Sequence, residues 1–238
     1  MNHPYTIGIT GGSASGKTTL ARALAVSLQE YNPVILSQDR YFRDWSSYPP
    51  EERDQVRTAN RAEAILWAAY MEAAHKIRAG EPIQEPAPGT RAAQREAESF
   101  TIQPGQVLIL EGLFVLWSEE LRTLLDLAIY VEVEESERIL RRLVRDLHSR
   151  GGDLERAVAW LRRDVLPNFP IFTGATKRYA DLIVSNLQPE SRTVQIIAQG
   201  IRSILESQDE PKPFTLVEWE EDSPVPQSPW WQSRGWRR

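Results

Sequence analysis

Apolar residues in this chain follow two rhythms. Short continuous runs, "YTIGIT", "PVILS", "GQVLILEG", "LDLAIYVEV" and "YADLIVSN", predict five strands. Runs without polar alternation fit strands buried on both faces. The helical rhythm lies between them. Leu20, Leu24 and Leu28 recur at i, i+4, i+8 within "GKTTLARALAVSLQEY". "NRAEAILWAAYMEAAHKIRAG" predicts an Ala-rich helix ending at Gly80. "SERILRRLVRDLHSR", "DLERAVAWLRRDVL" and "RTVQIIAQGIRSILES" predict three more, the second of them ended by Pro167. Residues 81–99, with Pro and Gly at their start, read as loop. Alternation of strand and helix implies right-handed crossovers and a parallel sheet covered on both faces, an α/β fold.

Composition narrows the class. At 238 residues the chain can bury one large core. A net charge of -5 argues against a general nucleic-acid binder, whose footprint is basic. The absence of cysteine removes disulfides, thiolate metal sites and cysteine nucleophiles, and the three scattered histidines have no zinc-ligand spacing. No apolar run approaches membrane-spanning length, and the N-terminus has no secretory pattern, so no membrane partner and a cytoplasmic location are expected. From about Gln208 the composition shifts. That tail holds five of the 16 prolines and four of the eight tryptophans. The expected division is a main domain over 1–207 and a Pro/Trp-rich tail over 208–238.

The densest chemistry lies in "GITGGSASGKTTLARAL". Gly11, four residues (Gly12, Ser13, Ala14, Ser15), then Gly16, Lys17 and Thr18 match the phosphate-loop pattern, followed by Thr19. Glycines let successive N–H groups point at one anion, and the helix starting at Gly16 aims its positive end at it. Lys17 supplies a charge at the β/γ-phosphates, and the Thr18 hydroxyl can ligate Mg²⁺. Two carboxylates stand at strand ends that face the ligand crevice of such sheets. Asp39 follows the second strand and can accept a proton from an attacking hydroxyl. Glu111 ends "VLILE" and can hold Mg²⁺. In "SERILRRLVRDLHSRGG", Arg138, Arg141, Arg142 and Arg145 share one helix face opposite Leu140, Leu143, Val144 and Leu147. Such a face is ordinarily solvated. Beside a phosphate site and a Gly-Gly break it suggests a lid over the triphosphate.

The ordered set "GGSASGKTT", "DRYFRD", "LILEG", "RRLVRDLHSRG" and "ATKRYADLIV" resembles the uridine kinase branch of the uridine kinase/phosphoribulokinase-like P-loop kinases, over about Tyr5 to Asn186. The resemblance implies a three-layer P-loop fold with a five-stranded parallel sheet, a helical lid over about 138–165 and a short substrate-binding insertion. It implies ATP with Mg²⁺ as phosphoryl donor and a small hydroxyl-bearing acceptor. Asp39 would be the general base, Thr18 and Glu111 would flank the metal, and Arg142, Arg145 and Arg150 would be lid residues. Tyr41 and Phe42, where the family has "DxFY", are candidate substrate contacts.

The acceptor side departs from that pattern. "RTANRAEAI" lacks the aspartate of the family's "NFDHP"-like motif, and "APGTRAAQR" lacks the aromatics and histidine of its pyrimidine-reading segment. Uridine or cytidine stays open as acceptor, as does another alcohol or a phosphorylated sugar, given Arg91 and Arg95. The competing class is a nucleotide-binding regulator or scaffold without acceptor chemistry. A GTP-using enzyme is weaker, because no NKxD-like segment occurs. Oligomeric state is left open, a homo-oligomer included.

Overall fold

Alternate residues of the apolar runs serve opposite faces of one sheet. On β5 (Val107–Glu111), Val107 and Ile109 join one core while Leu108 and Leu110 join the other. That two-sided burial accounts for the unbroken hydrophobicity of the sequence. The computed structural model describes residues 3–46, 48–96, 98–149, 153–185 and 192–207. The tail, Arg150 and the Gly151-Gly152 pair lie outside the described residues.

In chain order, β1 (Tyr5–Gly11) leads through the phosphate loop into α1 (Lys17–Ser27), followed by β2 (Val34–Ser37). Next come α2 (Pro50–Val56), α3 (Trp67–Arg78), β3 (Ile83–Glu85), α4 (Arg91–Arg95) and β4 (Phe100–Ile102). After β5 follow α5 (Glu119–Arg122), β6 (Leu127–Glu132), α6 (Glu135–Ser149), α7 (Leu154–Trp160) and α8 (Leu166–Asn168). β7 (Leu182–Ser185) and α9 (Arg192–Glu206) complete the described chain. The main sheet runs β2-β5-β1-β6-β7, every pair parallel. β1 is central, so the loop at its C-terminal end opens between diverging neighbours, the usual ligand crevice of such sheets. Leu20, Leu24, Val194, Ile197 and Ile201 of α1 and α9 cover one face. The other is covered mainly by α3, through Tyr70, Ala74 and Ile77, and by Phe114. No helix among the described residues is long and apolar enough to cross a membrane.

Three elements differ from the sequence expectation. The helix expected from Asn60 begins at Trp67. Tertiary bonds capture the residues before it: Phe42 and Ile65 form an antiparallel bridge, and Leu66 N–H donates to the Tyr41 carbonyl at 2.9 Å. Such pairing outweighs the helix propensity of an Ala-rich stretch. Residues 81–99 are not all loop. β3 pairs antiparallel with β4, Ile83 opposite Ile102, and α4 lies between them, its Thr90 side chain capping Ala93 N–H. Finally, Pro167 does not end the helix expected from "DLERAVAWLRRDVL". Wide π turns over Leu161–Val165 and Phe169–Thr173 flank α8 and carry the chain past Pro167 and Pro170. The shift of hydrogen-bond register there is what lets a proline, lacking N–H, sit within the run.

Candidate active site

The phosphate loop is a tight arch between β1 and α1. Ser15 N–H closes it on the Gly12 carbonyl at 3.1 Å, and Ala14 takes a left-handed φ of 66°. Gly16, at φ 97°, occupies the N-cap position and has no side chain to cap with. The first N–H groups of α1 are therefore left for an anion. Gly11, Gly12, Ser13 and Ser15 are buried, while Thr18 and Thr19 stand exposed on the first turn of α1.

Lys17 is buried beneath this arch. Burial pushes its ammonium below the ordinary lysine range; the Asp39 and Glu111 carboxylates pull it back, and Arg145 and Arg142 press it further down. One lysine thus feels four of the residues singled out from sequence. A phosphate beside it would restore the balance in favour of charge.

Glu111 ends β5 almost wholly buried, accepting from Ser37 Oγ at 2.6 Å and from Thr18 Oγ1 at 3.2 Å. Parallel pairing supports this: Ser37 and Ile9 are both register partners of Glu111. A carboxylate and a hydroxyl converging next to a phosphate arch form a hard-oxygen pair of the kind Mg²⁺ takes.

Asp39 is exposed, but its neighbours are fixed. Gln38 is buried, and its Oε1 accepts from Phe114 N–H at 2.8 Å. A Cβ at Gly112 would lie 2.4 Å from Gln38 Cβ, so only glycine lets the two segments approach. Arg40 pairs with Glu85 and binds both oxygens of Glu96 at 3.0 and 2.8 Å. Tyr41 donates to Glu85 at 2.9 Å. Tyr41 and Phe42, expected against a substrate, are instead core residues at 1% and 6% exposure. Their rings anchor the loop that carries Asp39. In the sequence, the glycine of "LEG" is the trace of this Gln38 and Gly112 partnership.

The arginine face of α6 divides: Arg138 and Arg142 turn inward, while Arg141 is exposed and pairs with Glu137 at 2.6 Å. Arg142 is buried and pairs with Asp146 at 3.4 Å. The half-exposed Arg145 reaches Ser13 Oγ at 3.2 Å and Asp146 at 3.4 Å. Arg138, one residue of that face, adds a contact to the site that the spacing of the arginines does not reveal. It is 2% exposed, packs 3.9 Å over the Phe169 ring and crosses the phosphate loop. A Cβ on Gly12 would lie 2.6 Å from its Cδ. Its Nε and Nη2 are buried without a hydrogen-bond partner among the described residues. Burial pushes its guanidinium below the ordinary arginine range. Such a donor group is costly to bury unless something completes it.

The loop 58–61, where the family's acceptor motif would lie, is tied inward. Asp164, buried in the first π turn, accepts from Thr58 Oγ1 at 2.5 Å, Ala59 N–H at 3.1 Å and Asn60 Nδ2 at 2.6 Å. Arg61 donates to Asn168 Oδ1 at 3.1 Å.

Residues 6–193 match the Phosphoribulokinase / Uridine kinase family. The uridine kinase of Geobacillus sp. (strain WCH70) is 37% identical over 204 residues, 85% of this chain and 96% of the relative. The uridine kinase of Anoxybacillus flavithermus (strain DSM 21510 / WK1) is 36% identical over 203 residues, with the same coverage. Among solved structures, D-glycerate 3-kinase from Cryptococcus neoformans var. grubii superposes with a TM-score of 0.56 at 15% identity, covering 78% of this chain and 87% of that one, a likeness of fold. The chain belongs to the phosphoribulokinase / uridine kinase family and is an ATP-dependent small-molecule kinase of the uridine kinase type.

Proposed function

We propose that Asp39 is the general base of this kinase, taking the proton of an acceptor hydroxyl as its oxygen attacks the γ-phosphorus of ATP. The bond from that phosphorus to the β–γ bridging oxygen breaks, and ADP leaves. The carrying observation is Asp39 itself: an exposed carboxylate on an anchored loop, within electrostatic reach of Lys17. The arch and Lys17 hold the donor's phosphates. Thr18 and Glu111 are the residues that would hold Mg²⁺, which neutralises phosphate charge when bound. Arg138, Arg142 and Arg145 face the charge that spreads over the phosphoryl oxygens in the transition state. We assign α6 and α7 to a lid that keeps water from competing with the acceptor. A cytoplasmic location, where ATP is available as donor, fits this reading. The relatives' activity makes uridine the first acceptor to assay.

Asp39→Asn tests the assignment. Turnover should fall by about 100- to 10,000-fold with ATP affinity unchanged. Near wild-type turnover in that variant would remove Asp39 from the chemistry.

A further inference from the structure

A cavity of about 620 Å³, within the range of small-molecule sites, is lined by residues from the end of α2, from α4, α6 and α7, and from the π turn that follows. Its lining is unusual in charge. Arg57, Arg91, Arg95, Arg156 and Arg163 converge on it, against two carboxylates, Asp146 and Asp153. Trp160 stands in the wall with two guanidinium groups over its ring, Arg163 at 4.7 Å and Arg57 at 5.6 Å. These arginines come from three separate parts of the chain: the end of α2, α4, and the run from α7 into the π turn.

Two links tie the cavity to the reaction. Its Asp146 wall holds Arg142 and Arg145, and Arg145 reaches Ser13 of the phosphate loop. Its α4 wall is fastened to the chain carrying Asp39. Arg91 N–H donates to the Phe42 carbonyl at 2.8 Å, Arg43 bridges Thr90, and the Arg91 guanidinium packs 5.1 Å over Phe42. The cavity's lining is therefore connected to the arginines of the phosphate site through Asp146 and to the chain carrying the proposed base through α4. Like charges gathered around one space focus a positive potential there. A neutral nucleoside would gain little from it, and the polar side chains of the nearby 58–61 loop are engaged by Asp164 and Asn168.

We propose that the acceptor carries a fixed anionic group, a phosphate ester or a carboxylate, which this arginine cavity holds while its hydroxyl faces Asp39. The inference rests on the kinase reading above and adds the acceptor's charge class. Arg95 of α4 and Arg156 of α7 both line the cavity and would bind the anion; guanidinium forks suit both phosphate and carboxylate.

The test is acceptor-dependent ADP release, measured with uridine, a neutral pentose, the same pentose as its 5-phosphate, and a small hydroxy acid. An anionic acceptor should exceed uridine in kcat/KM by at least about 100-fold. The phosphate ester and the hydroxy acid distinguish the two sources of charge. Arg95→Ala and Arg156→Ala should each raise the KM for that acceptor by about 10-fold, leave the KM for ATP within about twofold, and recover partly as Arg95→Lys and Arg156→Lys. Raised salt should weaken the anionic acceptor selectively. If uridine is preferred over every anionic compound, or if both alanine variants act on the KM for ATP instead, the proposal is overturned. In that case a loss of uridine turnover in Asp39→Asn leaves the kinase reading standing. Absence of turnover with every acceptor overturns both.

Discussion

Helices α6 and α9 are each 15 residues long and each strongly two-faced, yet they face opposite ways. α9 turns Val194, Ile197, Ala198 and Ile201 onto the sheet. α6 turns Arg138, Arg142 and Asp146 inward and leaves Leu140 and Val144 at 59% and 54% exposure. Helical periodicity separates two faces but does not say which one is covered. The partner surface decides. Under α9 lie the side chains of β1, β5 and β6, where apolar contact is worth about 1.5–3 kcal/mol per buried aliphatic residue. Under α6 lies the phosphate arch, whose backbone groups and nearby Lys17 call for an anion and for further cations around it.

The contrast can be broken at three positions. On α9, Ile201→Asp buries an unpaired carboxylate in the sheet core and should cost about 4 kcal/mol of stability, read from denaturant unfolding. A loss under about 1 kcal/mol would mean α9 is not held by that face. On α6, Arg142→Ala should lower kcat by about 100- to 1,000-fold, as loss of one transition-state donor does, with the KM for ATP less affected. Turnover within a few-fold of wild type would return the arginine face to a structural role. The smallest effect is expected at Leu140→Ser on the exposed face of α6. Stability should stay within about 0.5 kcal/mol, measured by the same unfolding curves. A larger loss would show that this apolar face is covered in solution.

The donor half of the site was legible in the sequence because its geometry is local. An arch needing glycine at a left-handed φ, a lysine after it and a helix behind it must be contiguous, so Gly16, Lys17 and Thr18 announce themselves. Glu111 and Asp39 were legible because strand ends of a parallel sheet share one edge. What the sequence does not display depends on partners distant in the chain. β3 and β4 have three residues each, with proline near, too short to show a period. Tyr41 and Phe42 sit beside Asp39 in sequence, yet Glu85 and Ile65 draw them into the core. Asp164 gathers a loop more than a hundred residues earlier. Arg138 looked like one solvated arginine among several, and only its place above Gly12 sets it apart.

Arg138 offers the most direct test of the central claim, that the inward charge of α6 serves a bound nucleotide rather than the fold. Thermal unfolding of the wild type and of Arg138→Leu, each with and without ATP and Mg²⁺, separates the two. Replacing a buried, uncompleted guanidinium by an apolar side chain should raise unliganded stability by about 1 kcal/mol, or about 2–4 °C in Tm. The same change should remove most of the nucleotide-induced shift, since ligand stabilisation follows affinity. A variant that melts below the wild type when unliganded and keeps the full nucleotide shift would contradict the account.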